Sequence, residues 1–452
     1  MRISRYIWVF GLFTLSAVLM PARAQDFARL SERDLQGTAR YVGMAGAMTA
    51  IGGDPSAVRD NPAGLGLYQR MELLVSLDYM QDRTIQSYNS IDPLTNRRVS
   101  ISQASLVFTF GDPYRTDGVI YNNLLVSYHR LRTYYRSYQA RGNYGASLGS
   151  LIAETGVDLG MPYPADRQNV MNTFRLDEAG TVDEYAFDWA MNISHKWYIG
   201  AGLRLQTYSL INKATYTEMF NTYADSVPYS LKNETALTLA GVGFGLSAGV
   251  IYRPIRWCRF GVSVETPSLG RLTTYTSGTI YAQTDSLRYS EAPDLSGVAR
   301  NFHLPMRLSA SAAAQLGTKA LIALQYDYAY GFSDIDCHTL RAGVEIVPIP
   351  GLFINLGYAY EWNVDRQRKA GEPERVIPID PTFDRQDAYF LNMHATQYAS
   401  FGIGYRGRRI IAQAAYQYRW QQMNLYAHEN LAYTMSADTH RLVITLGWHH
   451  DW

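Results

Sequence analysis

The chain has 452 residues, with 41 Lys+Arg against 40 Asp+Glu, and a formal net charge of +1 that offers nothing to a polyanion, so a nucleic-acid partner is excluded. Only 18% of residues are charged, yet there are 35 Tyr, 36 Gly and 8 Trp, a balance that fits a protein with amphipathic rings at two membrane interfaces better than a soluble enzyme. No stretch reaches about eighteen consecutive apolar residues, which excludes a helical membrane protein.

Taken in chain order, residues 1–24 read as a secretory signal. Arg2 and Arg5 give the positive start, Tyr6 to Met20 is apolar, and Ala22-Arg23-Ala24 supplies the small-x-small cleavage pattern. The apolar run is too short for a membrane anchor, so the mature chain is expected to start at Gln25. Residues 25–70 follow as a small, turn-rich stretch containing "GGDPSAVRDNPAGLG" (Gly52 to Gly66), with Asp54-Pro55 and Asn61-Pro62 as fixed turns.

From residue 71 the dominant signal is period two. Strands are predicted at 71–82, 101–110, 120–132, 184–194, 199–212, 238–252, 259–267, 305–316, 321–331, 340–347, 352–362, 398–405 and 410–421, with a last one in "HRLVITLGWHHDW". In that last strand Leu442, Ile444, Leu446 and Trp448 share a face with the terminal Trp452, while Arg441, Val443, Thr445 and His449 take the other. Tyr185, Phe187 and Trp189 alternate with Ala186, Asp188 and Ala190 in the same way. The connections alternate between tight turns, such as Arg406 to Arg409, and long outer loops at 133–183, 213–237, 268–304 and 363–396. The expected fold is all-β: a 14-stranded antiparallel transmembrane β-barrel over 71–452. A soluble propeller would also alternate, but no repeat of blade length is visible.

Two catalytic look-alikes sit out of context. Gly145 to Gly149 matches G-x-S-x-G, but no buried parallel strand precedes it. Gly402 to Gly407 matches G-x-G-x-x-G, but a turn and a strand follow where a helix is required. His449 and His450 point to opposite faces of one strand, so no metal site is expected, nor any cofactor or enzyme activity. Cys258 falls in an inner turn and Cys337 in an outer link, too far apart for a disulfide.

The predicted lumen face holds charges of both signs: Glu72, Asp78, Asp188, Arg204, Glu265, Arg307, Asp327, Arg341, Glu345, Arg419 and Arg441. An internal ion-pair lattice is the preferred reading. The sharper alternative makes arginines such as Arg204, Arg307 and Arg341 contacts for an anionic head group.

The stretch "GTARYVGMAGAMTAIGGDPSAVRDNPAGLG" resembles the N-terminal signature of the FadL/TodX family of outer-membrane transport proteins. The matching elements are Gly43 to Ala50, Asp54 to Val58, and Asn61-Pro62-Ala63-Gly64. The resemblance implies that residues 25–70 form a hatch inside the barrel. It also implies passive passage of hydrophobic compounds, such as long-chain fatty acids or aromatic hydrocarbons, with sideways exit at a kinked third strand. Val119 to Leu131 is the third strand here, and Asn122-Asn123, where the alternation weakens, is the candidate gate. Leu148, Leu151, Ile152 and Met161 of the longest loop are candidate ligand collectors. The family's aromatic residues before Asn-Pro-Ala are replaced by Arg59-Asp60, a charged pair suited to locking the hatch to lumen charges.

The functional expectation is a monomeric transport barrel in the outer membrane of a Gram-negative bacterium, with a hydrophobic small-molecule ligand and outer-membrane lipid as partners. The competing expectation is a scaffold or shuttle subunit that binds proteins in a secretion or assembly complex.

Overall fold

The computed structural model describes residues 29–86, 92–142, 168–221, 229–283, 288–291, 294–330, 335–365, 390–428 and 431–450. The signal segment, the G-x-S-x-G stretch, the collecting-loop residues Leu148, Leu151, Ile152 and Met161, and Trp452 lie outside them.

Eighteen strand segments are present: β1 Met71–Gln86, β2 Leu94–Gly111, β3 Val119–Thr133, β4 Arg136–Gly142, β5 Gln168–Ile193, β6 Trp197–Asn221, β7 Tyr229–Ile255, β8 Cys258–Glu265, β9 Leu269–Gln283, β10 Arg288–Glu291, β11 Asp294–His303, β12 Met306–Leu316, β13 Ala320–Tyr330, β14 Ile335–Ile349, β15 Leu352–Asp365, β16 Phe390–Arg406, β17 Ile410–His428 and β18 Leu431–His450. They build a closed, antiparallel barrel of 14 strands, because several segments continue one another. β4 carries β3 onward along β5, from Thr133↔Thr181 to Arg136↔Glu178. β9 carries β8 onward along β7, and β11 leads into β12 beside β9. Pro267 and Pro305 sit at the last two interruptions, where a residue without an N–H cannot extend the ladder. The barrel closes where β1 pairs with β18, Met71↔His450 through Gln86↔Met435.

The faces follow the pleat. On β1, Leu73, Val75, Leu77 and Tyr79 are exposed on the outside, while Leu74, Ser76, Asp78 and Met80 are buried inside. On β18, Leu442, Ile444, Leu446 and Trp448 point outward as expected. Tyr79, Tyr185, Tyr326, Tyr358 and Tyr416 are exposed toward one end, and Trp197, Tyr252, Trp257, Tyr405 and Trp448 toward the other. These are the two aromatic girdles of a membrane barrel.

The outer loops are shorter than expected. Residues 136–142 and 168–183 are strand rather than loop, as are 213–221, 229–237 and much of 268–304. β5, β6 and β7 run for 26, 25 and 27 residues. At about 3.3 Å per residue, such strands are far longer than an apolar band about 25 Å tall, even when tilted. Their outer ends therefore rise above the band as a walled extension, faced outside by polar groups such as the ion-paired Arg175 and Asp177.

The segment from Arg29 to Tyr68 lies inside the barrel and is mostly buried. It folds into α1 Ala39–Gly43, α2 Pro55–Asp60 and a 3₁₀ turn Pro62–Leu67. Each begins at a polar cap: Thr38 accepts from Tyr41 N, Asp54 from Ser56 N, and Asn61 from Ala63 N. Pro55 and Pro62 take the first position, where a missing N–H costs nothing. The Asp-Pro and Asn-Pro pairs are thus two helix starts in succession, which packs the chain into a narrow lumen.

Candidate functional site: the lumen and its inserted segment

The innermost layer is a close backbone fit. α1 packs Tyr41, Val42 and Met44 against Ala313, Ala323, Ala359 and Ala415 of the wall, small residues that leave room for it. Ala39 N donates to Thr445 Oγ1 at 2.7 Å and Thr49 N to Gln325 Oε1 at 3.0 Å, fixing the segment to β18 and β13. Several wall glycines are required by this approach, Gly200 and Gly249 among them. A side chain at Gly200 would run into the Pro62 carbonyl, and one at Gly249 into the Asn61 carboxamide. Ala63 packs beside Tyr198 and Ile251, and Gly64 lies against Gly52.

Asn123 belongs to the same layer. Its Nδ2 donates to Leu65 O at 2.7 Å and to Tyr68 O at 3.0 Å, holding the end of the 3₁₀ turn. Asn122 points to the outside. Both residues are paired with β2 and with β5, and the register of β3 shifts instead at Val119/Tyr121 and Arg130/Arg132. The weakened alternation at Asn122-Asn123 thus comes without a register shift at that point; the shifts fall at the two ends of the strand.

Above this lies a layer of ion pairs that joins the inserted segment to the wall. Arg59 contacts Asp60 at 2.8 Å and Glu184 at 3.3 Å. Asp60 receives Tyr41 OH at 2.5 Å and lies 3.4 Å from Arg341 Nη1. Arg40 pairs with Glu345 at 2.6 Å, and Arg33 with Glu265. Asp34 gathers Arg132 and Arg419, each at 2.7 Å, and Arg441 at 3.6 Å. Burial pushes the carboxyls of Asp34 and Asp60 toward protonation, but the surrounding guanidiniums outweigh it and hold both below the ordinary aspartate range.

Of the three candidate anion contacts, Arg204 is committed to Asp188 at 2.7 Å, and Arg341 to Asp327 at 2.9 Å. Arg307 donates to Ser31 O and lines a cavity without an ion pair among the described residues. That cavity is narrow and irregular, about 60 Å³ in volume, between the inserted segment, β3, β8 and β12–β16. His129, Arg307, Cys337, Arg341 and Glu361 are among its lining residues. Cys337 and Cys258 are both free, as their separation required. His449 lies 3.1 Å from Glu72, and the described residues hold no group of ligands suited to a metal.

Outward of the charges the lumen turns apolar. Leu30, Leu131, Tyr134, Val182, Leu210, Leu239 and Phe302 form one cluster. Phe174, Leu176, Tyr216, Met423, Leu425 and Tyr433 form another between the extended strands, across the outer mouth. Sequence reading placed Tyr134, Phe174, Leu176, Val182, Tyr216 and Phe302 in loops and missed both clusters.

Among the described residues the wall has a seam beside β2. β2 and β3 are paired from Gly111↔Tyr121 only as far as Gln103↔His129, while β2 continues to Leu94 bonded to β1 alone. The edge of β4 turns inward instead, where Thr84 Oγ1 donates to Ser137 O at 2.5 Å and Gln86 Nε2 to Arg141 O at 3.0 Å.

No family model matches the chain, and no curated protein does. Solved structures do. A FadL homologue of Pseudomonas aeruginosa aligns over 93% of this chain and 99% of its own, with TM-score 0.56 at 11% identity. The toluene transporter TodX of Pseudomonas putida aligns over 92% and 99%, with TM-score 0.56 at 14% identity. The toluene transporter TbuX of Ralstonia pickettii aligns over 94% and 100%, with TM-score 0.53 at 13% identity. With 14 strands, full-length alignment and a segment wedged in the lumen, the chain has the fold of the FadL- and TodX-type channels.

Proposed function

We propose that this protein is a passive channel for hydrophobic small molecules, of long-chain fatty acid or aromatic hydrocarbon type, in the outer membrane of a Gram-negative bacterium. The observation that carries the reading is the apolar lining of the outer lumen, Leu30, Leu131, Val182, Leu239 and Phe302, inside a barrel of this fold. An apolar lining with a few polar groups beneath it is the usual form of a small-molecule site. Residues 25–70 act as the hatch, and the Arg59, Asp60 and Asp34 contacts are its lock. The ligand descends from the outer clusters to the polar cavity and leaves sideways at the β2–β3 seam, beside His129 and Leu131. The gradient alone drives it.

The reading is tested by purifying the barrel in a short-chain detergent and analysing copurifying molecules by mass spectrometry. A stoichiometric apolar compound, displaced by added palmitate or toluene, is the expected result. A barrel that binds neither compound at millimolar concentration rules the reading out.

A further inference from the structure

The outer half of β2 has no role in the lumen. Beyond Gln103 it stands away from β3, and its second edge has no strand partner among the described residues. Its outer face continues that of β1: Ile101 lies opposite Leu77, Val99 opposite Tyr79, Arg97 opposite Gln81, and Thr95 opposite Arg83. Reading outward, this face passes from exposed Leu77 and Ile101, through Tyr79 and Val99, to Arg97 and Arg83. Apolar residues, then an interfacial tyrosine, then guanidiniums is the order in which acyl chain, glycerol or sugar backbone, and phosphate of a lipid are met.

The guanidiniums are unspent. Among the described residues Arg83, Arg97 and Arg98 form no ion pair, unlike the arginines of the lumen. Arg97 Nε donates to Gln81 at 3.2 Å, which aims its side chain across the β1–β2 face. Arg98 lies over the Tyr135 ring at 3.9 Å, and its Nη1 is buried without a hydrogen-bond partner. The stacking fixes the plane of that guanidinium in the seam, next to Arg130, which is itself committed to Asp183 at 2.9 Å. Asp92, the acidic residue nearest in sequence to Arg97 and Arg98, is exposed and makes no ion pair with them, and Asp82, beside Arg83, is committed to Arg136.

The geometry points to a docking site for the phosphorylated head group of an outer-leaflet lipid on the outer face of β1 and β2, beside the β2–β3 seam, with Arg97 and Arg83 as its phosphate ligands; Arg98, opposite Met80, lies on the other face of β2. Arginine forks match phosphate oxygens in pairs, and a charge-assisted contact at the rim of the apolar band is screened less than one in open water. The lipid tails lie on Val99, Ile101 and Leu77, and the head covers the open edge of β2, whose backbone groups need partners. Such a lipid seals the seam from outside while leaving it able to part. The inference rests on the reading that this end of the barrel faces outward, but not on transport itself, since lipid retention is measured without any transported ligand.

The test is native mass spectrometry of the full chain in neutral detergent, titrated with diphosphoryl lipid A, phosphatidylcholine or inorganic phosphate. Wild type is expected to retain one lipid A about tenfold more tightly than phosphatidylcholine, and the Arg83→Gln/Arg97→Gln variant to lose that preference. Arg97→Lys, which keeps the charge but loses the planar fork, is expected to fall between them. Arg175→Gln, on the outer wall away from the seam, is expected to bind as wild type. Equal binding by wild type and the double variant overturns the proposal. So does displacement of lipid A by inorganic phosphate at equal concentration, which assigns the site to free phosphate. A lipid-independent dimer of wild type overturns it as well, because the β2 edge is then taken by a second copy.

Discussion

Asp34 of the inserted segment meets Arg419 of β17 at 2.7 Å near the middle of the lumen, and the same carboxylate oxygen takes Arg132 of β3 at 2.7 Å. One carboxylate thus ties the N-terminal segment to opposite parts of the wall. Among the described residues, removing it leaves Arg419 with only Asp82 at 3.9 Å, while Arg132 keeps Glu32 at 2.8 Å and Arg441 keeps Asp78 at 3.0 Å. Breaking a buried ion pair from one side costs about 3–5 kcal/mol. Asp34→Ala is expected to lower the urea midpoint of barrel unfolding, read by gel mobility of unheated samples, by a corresponding amount. A midpoint equal to that of wild type contradicts the lock.

The Asp60 contacts give the lock a pH dependence with a definite sign. Burial raises the Asp60 pKa, but Arg59, Arg341 and the Tyr41 hydroxyl lower it further, so the folded value lies below the ordinary one. A depressed carboxyl contributes stability that is complete above its unfolded pKa, about 3.9, and is lost as pH falls through the folded value. Protease cleavage of the inserted segment is therefore expected to stay constant from pH 8 to pH 5 and to rise only below about pH 4. A rise centred near neutrality is incompatible with Asp60 as the titrating group.

Gly249 and Gly200 give the steric counterpart. A methyl at either position meets Asn61 or Pro62 of the inserted segment, so Gly249→Ala and Gly200→Ala are expected to destabilise by about 1–3 kcal/mol through overpacking. Shortening the chain to remove residues 25–68 should abolish the penalty, because nothing then occupies the lumen opposite them. Thermal unfolding of wild type, the two variants and their three shortened counterparts checks this, and a penalty that persists in the shortened chain refutes the assignment.

Asn123 is the side chain that holds the end of the 3₁₀ turn. Asn123→Leu keeps the volume but strands the Leu65 and Tyr68 carbonyls, which costs about 1–3 kcal/mol when no water reaches them. Hydrogen exchange of Gly66 to Tyr68 is the readout, with faster exchange confined to that turn expected in the variant. Uniform exchange across the barrel wall indicates that Asn123 supports the strand rather than the inserted segment.

The membrane-level strands were legible because their outer face meets lipid and their inner face meets charge, which yields a clean alternation. On β5 this reads Tyr185, Phe187 and Trp189 outside, with Glu184 and Asp188 inside. Above the band the phase inverts: Phe174 and Leu176 turn inward, while Arg175 and Asp177 face water. The same inversion places Tyr208 and Leu210 of β6 inside. A single-phase pattern therefore ends at the membrane surface, and the continuing strand reads as loop. The charged lumen list was recoverable from pleat parity alone. The glycines that admit the inserted segment were not, since Gly200 and Gly249 face residues far away in sequence and only the assembled barrel brings them together.

The most direct test of the channel reading is accumulation of radiolabelled palmitate by cells expressing the protein in an outer-membrane host that lacks its own channel of this type. Wild type should accumulate it faster than cells with an empty vector, and Arg59→Ala/Asp60→Asn, with the lock opened, faster still. Palmitate uptake no faster than the empty vector in both wild type and the opened variant contradicts the channel reading.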